Sequence, residues 1–198
     1  MNVYDFDNTI YRGESTVDFF RFCLRKKPSL VRYLPSVFWQ LLRYKCGVIP
    51  AERIIASGER VLRSFLTEIR DVNALVCEFW DRNEHKIKDS FRAMLQEDDL
   101  ILSGSSEILL AEICRRLGVT HFLGTRVDLD ACRVEFLCYH ENKVKAFREH
   151  YPTETISCFY SDSIHDLPMM RLADAAYLVH GERVTRWIEP ELRRQTAI

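Results

Sequence analysis

Val3-Tyr4-Asp5-Phe6-Asp7-Asn8-Thr9 decides the reading of this chain, because a short apolar run ends there in two carboxylates two residues apart. A strand through these positions starts Asp5 and Asp7 on the same face. Both acids then address one ligand just beyond the strand end, where open α/β sheets bind ligands. The competing reading is a turn in which Asp and Asn cap local backbone groups. A second acidic pair moves the balance toward a reaction centre: Asp162 and Asp166, in Ser161-Asp162-Ser163-Ile164-His165-Asp166, also follow an apolar β-rich run, Ile156 to Tyr160.

The stretch after the first strand changes period. From Thr16 to about Phe91 the pattern is helical: Phe19, Phe20, Cys23 and Leu24 share one face, and Ile54, Ile55, Val61, Leu62, Phe65, Leu66 and Ile69 recur at three- and four-residue spacing. The chain then alternates between strand and helix. Asp99 to Leu102 reads as a buried strand and Glu107 to Leu117 as a helix with Gly118 in its stop position. Val119 to Leu123 and Arg133 to Leu137 read as β segments, Lys143 to His150 as a helix, and Thr155 to Tyr160 as a strand. Leu167 to Leu172 is a further helix and Ala175 to Val179 the last strand. No internal repeat or low-complexity run interrupts this order, so the helical block reads as an insertion into an α/β core.

Composition excludes several classes. With 198 residues, 47% of them hydrophobic, the chain can bury a substantial core as one domain with an insertion or as two small domains. Lys and Arg number 28 against 29 Asp and Glu, and a net charge of -1 makes no electrostatic case for nucleic acid as a partner. The seven cysteines are scattered without a Cys-x-x-Cys, which fits reduced thiols in a cytoplasm better than a disulfide frame or a zinc site. A first strand that begins at residue 2 leaves no room for a signal peptide, so a cytoplasmic location is expected. The most membrane-like stretch, Leu30 to Ile49, is interrupted by Arg32, Pro35, Arg43 and Lys45, so no transmembrane segment is expected. Its aromatic and basic residues fit either helices buried against their neighbours or a surface that makes peripheral contact with lipid headgroups.

Two further segments carry chemistry. Ser103-Gly104-Ser105-Ser106-Glu107 joins a strand end to a helix start, where unpaired N–H groups and the helix dipole favour an anion such as phosphate. Ser103 can add a hydroxyl and Gly104 lets the backbone approach, although serines there also serve as helix caps. Lys143 opens a predicted helix. It reads either as solvated surface or as the cation that offsets a site holding two or three carboxylates and a phosphate.

In this order, Asp-x-Asp-x-Thr, a Ser ending the second core strand, Lys, and Asp-Ser-x-x-Asp, the chain resembles the haloacid dehalogenase superfamily of phosphohydrolases. Glu14-Ser15, Thr125-Arg126, Asn142-Lys143-Val144 and Ser161 to Met169 are similar to its phosphoserine-phosphatase-like branch. The resemblance implies a Rossmannoid three-layer α/β/α core with a parallel sheet, residues 1–12 and 92–198, and an all-helical cap at 13–91.

It also implies roles. Asp5 would be the nucleophile that forms an aspartyl-phosphate, and Asp7 the general acid and then base. Mg²⁺ would be held by Asp5, the Asp7 carbonyl and Asp162, with Asp166 behind them orienting a bound water or Lys143. Ser103, Gly104 and Lys143 would bind the phosphoryl oxygens. Glu14 falls where phosphoserine phosphatases read the substrate ammonium, while Asn8 and Ser161 replace glycines common in the branch. Arg60 reads as a solvated helix arginine. His165 is assigned no metal role, since Mg²⁺ disfavours imidazole.

The activity expected is therefore Mg²⁺-dependent hydrolysis of a small phosphorylated metabolite, with phosphoserine as one candidate. The alternatives are a membrane-surface lipid-phosphate phosphatase acting on a phosphatidylglycerophosphate-like ester, a phosphotransferase, and a non-catalytic phosphate-binding module. Intact Asp5 and Asp7 argue against the last, because binding alone needs neither.

Overall fold

The computed structural model describes residues 1–33, 39, 63 and 71–189. Most of the aromatic and basic block at 30–49, the helical spacing from Ile54 to Ile69, and Arg60 lie outside the described residues. In chain order the elements are β1 (Asn2–Tyr4), α1 (Ser15–Lys26), a 3₁₀ turn at Pro28–Tyr33, α2 (Val72–Asn83), α3 (Asp89–Met94), β2 (Leu100–Ser106), α4 (Glu107–Leu117), β3 (His121–Asp128) and β4 (Arg133–Phe136). There follow α5 (Glu141–His150), β5 (Ile156–Ser161), the short α6 (Leu167–Met170), β6 (Ala173–His180) and β7 (Arg183–Trp187).

The sheet has the order β4-β3-β2-β1-β5-β6-β7. The five central strands are parallel, and β4 and β7 close the two edges antiparallel to β3 and β6. The first strand is therefore central. The chain leaves it to β2 on one side and returns to β5 on the other, so the carboxyl end of β1 lies at the topological switch point where such sheets bind ligands.

Alternation along the strands supplies a core on each face. Val3, Leu100, Leu102, Phe159 and Ala176 pack with Phe147 of α5 and Met169 and Met170 of α6. Tyr4 and Ile101 face the other way, onto Leu109, Leu110 and Ile113 of α4, and onto Phe79 and Trp80 of α2 and Phe91 of α3. Tyr4, Tyr160 and Tyr177 are register partners on β1, β5 and β6, and their rings stack at 4.9 and 4.8 Å between centroids. Such cross-strand pairs fix register. Trp80 donates its indole N–H to the Leu109 carbonyl at 2.9 Å, which docks α2 on α4.

Two expectations need correction. Ala175 to Val179 is not in the last strand: β6 turns at Gly181, whose φ of 61° suits glycine, and pairs with β7. Arg183-Val-Thr-Arg-Trp lies at a half-solvated edge, so its polar alternation hid it. The second core strand also does not stop at Leu102 but runs to Ser106, through a register shift against β3 between Leu102 and Ser106. The shift brings β3 close. A Cβ on Gly124 would lie 2.6 Å from the Ser105 carbonyl oxygen, so only glycine fits there.

Candidate active site

The strand β1 ends at Tyr4, and Asp5 extends its ladder by one bond, its N–H reaching the Tyr160 carbonyl at 2.8 Å. Beyond it the chain does not continue extended, so strand alternation is not what brings the two acids together. Phe6 is fully buried against Tyr11 and Trp80, and its carbonyl accepts the N–H groups of Ile10 and Tyr11, each at 2.9 Å. This turn places Asn8 at a φ of 56°, a left-handed conformation that Asn tolerates better than most residues. Asp5 and Asp7 thus flank an anchored phenylalanine, and both line one cavity of about 400 Å³.

The remaining motif residues converge on that cavity. Ser103, Gly104, Lys143, Asp162, Asp166 and Glu14 all line it, together with Thr16, Ser105, Tyr139, Ser163 and His165. Lys143 is 3% exposed and donates to Asp5 Oδ1 and to Asp166 Oδ2, each at 2.7 Å, which excludes its reading as a surface lysine. Burial opposes its charge, but the carboxylates of Asp5 and Asp166 prevail and hold the ammonium above its ordinary range. Burial also pushes the Asp5 carboxyl up, Asp166 and Asp7 add to the rise, and Lys143 counters it. Asp162 is raised by burial and by Asp166. Glu14 is raised by burial and by Asp7, against a 2.6 Å hydrogen bond from the Asn8 amide.

Among the described residues lining the cavity, five carboxylates therefore face one ammonium. That imbalance suits a site that receives a cation. No three Asp, Glu, His or Cys side chains of the described residues converge on one point. Two carboxylates, a main-chain carbonyl and water suffice for Mg²⁺, which keeps several waters, so the donor set fits this ion better than one needing an all-protein cage.

Several positioning contacts were not expected. Asp7 Oδ2 accepts the Ser105 hydroxyl and Oδ1 the Ser15 N–H, each at 2.7 Å. Ser106 is the N-cap residue of α4 but makes no side-chain cap bond, and the Ser103 hydroxyl accepts the Ser105 N–H at 3.1 Å, so capping does not account for this serine cluster. Thr125 donates to the Gly104 carbonyl at 2.6 Å and pins the turn of the motif. Ser161, which replaces a glycine common in the branch it resembles, donates to Asp166 Oδ2 at 2.8 Å. Lys88, 2% exposed, donates to the carbonyls of Asn8 and Gly181 at 2.7 Å each and ties the loop after β1 to the β6–β7 turn. Nothing in the local sequence separates Ser105 or Lys88 from ordinary serines and lysines.

Residues 3–171 match the family model for haloacid dehalogenase-like hydrolases. The chain is 38% identical over 99 residues to a probable phosphatase, Rv3661, of Mycobacterium tuberculosis, a match that covers 45% of this chain and 34% of that protein. The matched stretch thus spans about a third of that relative's length. Among solved structures, a protein of unknown function from Bordetella pertussis is 21% identical with a TM-score of 0.71, over 100% of this chain and 94% of the other. A phosphoserine phosphohydrolase-like protein from Francisella tularensis is 16% identical with a TM-score of 0.54, over 89% and 86% of the two chains. At these identities the two structures speak for the fold.

Proposed function

The chain belongs to the haloacid dehalogenase-like hydrolases, and from that premise we propose that it is a Mg²⁺-dependent phosphomonoester hydrolase that works through an aspartyl-phosphate on Asp5. One observation carries the reading: a buried carboxylate paired with a buried lysine shares its cavity with a second, separately oriented carboxylate two residues on. Binding alone needs no such division of labour.

In the first step an Asp5 oxygen attacks phosphorus, the bond to the ester oxygen breaks, and Asp7 delivers a proton to the departing alkoxide. Asp7, now ionised, takes a proton from water. The resulting hydroxide attacks phosphorus, the bond to Asp5 breaks, and phosphate leaves with both carboxyl groups restored. Lys143 faces the charge on both Asp5 and the transferring group, and Ser103 with the backbone near Gly104 supplies polar groups for the equatorial oxygens. Asp5, the Asp7 carbonyl and Asp162 would hold Mg²⁺, which when bound offsets the phosphoryl charge and orients the group for in-line attack. Asp166, fixed by Ser161, orients Lys143.

A helical cap within residues 13–91 is proposed to close over this site and select the substrate, while α2 and α3 at the end of that stretch pack on the sheet and on α4. Glu14, at the root of that segment and on the cavity wall, is proposed to read the distal group of a small phosphorylated metabolite, with the ammonium of phosphoserine as the first candidate. The six described cysteines are free, which supports a reducing, cytoplasmic setting. No described helix is long and apolar enough to cross a membrane.

The test is phosphate release from p-nitrophenyl phosphate and a panel of phosphorylated metabolites, including phosphoserine and a lipid phosphate, with Mg²⁺ or EDTA. The reading requires Mg²⁺-dependent turnover that disappears in Asp5→Asn. Turnover that survives Asp5→Asn would overturn it, and added acceptor alcohols that trap the phosphoryl group would turn it into a transferase.

A further inference from the structure

We propose that Ser105 is a positioning residue for Asp7, and that Thr16, in the first turn of α1, acts through it. The inference rests on Asp7 being the acid and base of the reaction above. It goes beyond that reading by giving work to a residue that the motifs leave without a role.

Ser105 is 1% exposed. Its hydroxyl lies 2.7 Å from Asp7 Oδ2, 2.7 Å from Ser15 Oγ and 2.9 Å from Thr16 Oγ1. A hydroxyl has one proton and two lone pairs, and in the state that takes a proton from water Asp7 is a carboxylate that only accepts. The Ser105 proton is therefore committed to Asp7, and the Ser15 and Thr16 hydroxyls must both donate to Ser105. Every hydrogen-bonding position of Ser105 is then filled from within the protein, which leaves none for a phosphoryl oxygen. All three protons point along the chain toward the carboxylate, so each bond polarises the next.

The other Asp7 oxygen takes the Ser15 N–H at 2.7 Å. One oxygen is thus held from the end of β2 and the other from the start of α1. The terminal torsion of an aspartate is broad, and two donors from different elements are what fix the plane of this one. Proton transfer demands that plane, since the acid must come within hydrogen-bond reach of the leaving oxygen. Removing the Ser105 hydroxyl leaves Oδ2 without its donor and frees the carboxylate to turn. The loss should fall on the step in which Asp7 moves a proton, and should be small where the leaving group departs without help.

The experiment compares kcat and KM for p-nitrophenyl phosphate, which has a good leaving group, with phenyl phosphate, similar in shape but a poor one. It uses the unsubstituted protein, Asp5→Asn, Ser105→Ala, Ser105→Thr and Thr16→Val, all with Mg²⁺. Ser105→Ala is expected to lower kcat for phenyl phosphate by about ten- to a hundredfold and for p-nitrophenyl phosphate by less than about threefold, with KM within about twofold. Thr16→Val, isosteric and on an exposed residue, is expected to lose in the same sense by a few fold. Ser105→Thr, which keeps the hydroxyl, is expected to recover the phenyl phosphate rate.

Equal losses on the two esters, or none, would overturn the proposal while leaving the phosphatase reading intact. If Ser105→Ala does not fold, Thr16→Val decides: a loss that depends on the leaving group supports the relay, and its absence overturns it. No turnover of either ester by the unsubstituted protein, or turnover that survives in Asp5→Asn, would instead defeat the phosphatase reading and the relay with it.

Discussion

At the carboxyl end of the sheet Lys143 sits between Asp5 and Asp166, with side-chain exposures of 4%, 9% and 5%. On α4, Arg116 gathers Glu112, Glu84 and Asp81 at 2.7, 3.1 and 2.9 Å, with exposures that reach 65% at Asp81. Both clusters join distant parts of the chain, but their electrostatics differ. In the Arg116 cluster water screens the charges and Arg115 adds a second cation against Glu112, so the network contributes modestly to stability by tying α2 to α4. The Lys143 cluster is almost wholly buried, and its carboxylates outnumber its ammonium. Desolvation of that kind costs free energy that ion pairing returns only in part, so a buried, unbalanced cluster is weak evidence for stability and better evidence for chemistry.

The difference is sharpest in Asp5→Asn. Loss of the nucleophile is expected to lower phosphate release by more than about a thousandfold. Removing one of several crowded carboxylates should leave the thermal midpoint unchanged or higher. A parallel loss of stability, read by thermal unfolding, would mean that Asp5 serves the fold as much as the chemistry.

Lys143→Met works in the opposite direction. It strands Asp5 and Asp166 in a buried site without their cation, and urea unfolding should show a cost of about 3–5 kcal/mol together with loss of activity. Adding Asp166→Asn should return part of that stability and none of the activity. If Lys143→Met proves as stable as the parent, the cluster is wetter than its exposure implies.

Arg116→Met tests the other side of the comparison. A loss of about 1 kcal/mol is expected from urea unfolding, with phosphate release within about twofold of the parent. The smallest effect concerns pH. Arg115, with Arg116, holds the Glu112 carboxyl down to about 2 from an ordinary 4.5. A carboxyl depressed on folding contributes stability above its unfolded value and loses it as pH falls through the folded one. The advantage of the parent over Glu112→Gln should therefore be full above about 4.5 and shrink toward pH 2. Thermal midpoints across that range would show it, and a gap that does not change with pH would remove Glu112 from the network.

The same contrast explains what the sequence made legible. Helix α4 was readable to the residue because its apolar period, its first Glu and the terminal Gly118 agree with the tertiary structure, where Gly118 takes a φ of 71°. The motif residues were readable as a group, although the route by which Asp5 and Asp7 meet was not. A strand was expected, and the fold uses a turn anchored on Phe6 with Asn8 in a left-handed conformation. Strand β7 was missed because an edge strand with one solvated face carries a weak apolar signal. Lys88 and Ser105 gave no signal, since a lysine becomes a clamp and a serine a relay only when partners 80 and 98 residues away arrive. The Arg116 network is equally invisible in sequence, as its acids come from α2, from α4 and from the turn after α2.

The central claim is that Asp5 accepts the phosphoryl group. Rapid acid quench during turnover of p-nitrophenyl phosphate with Mg²⁺, followed by mass mapping of the peptides, tests it most directly. The account predicts one hydroxylamine-labile phosphoryl group on the peptide that carries Asp5, and none in Asp5→Asn. A phosphoryl group found on another residue, or steady turnover that goes on undiminished in Asp5→Asn, would contradict it.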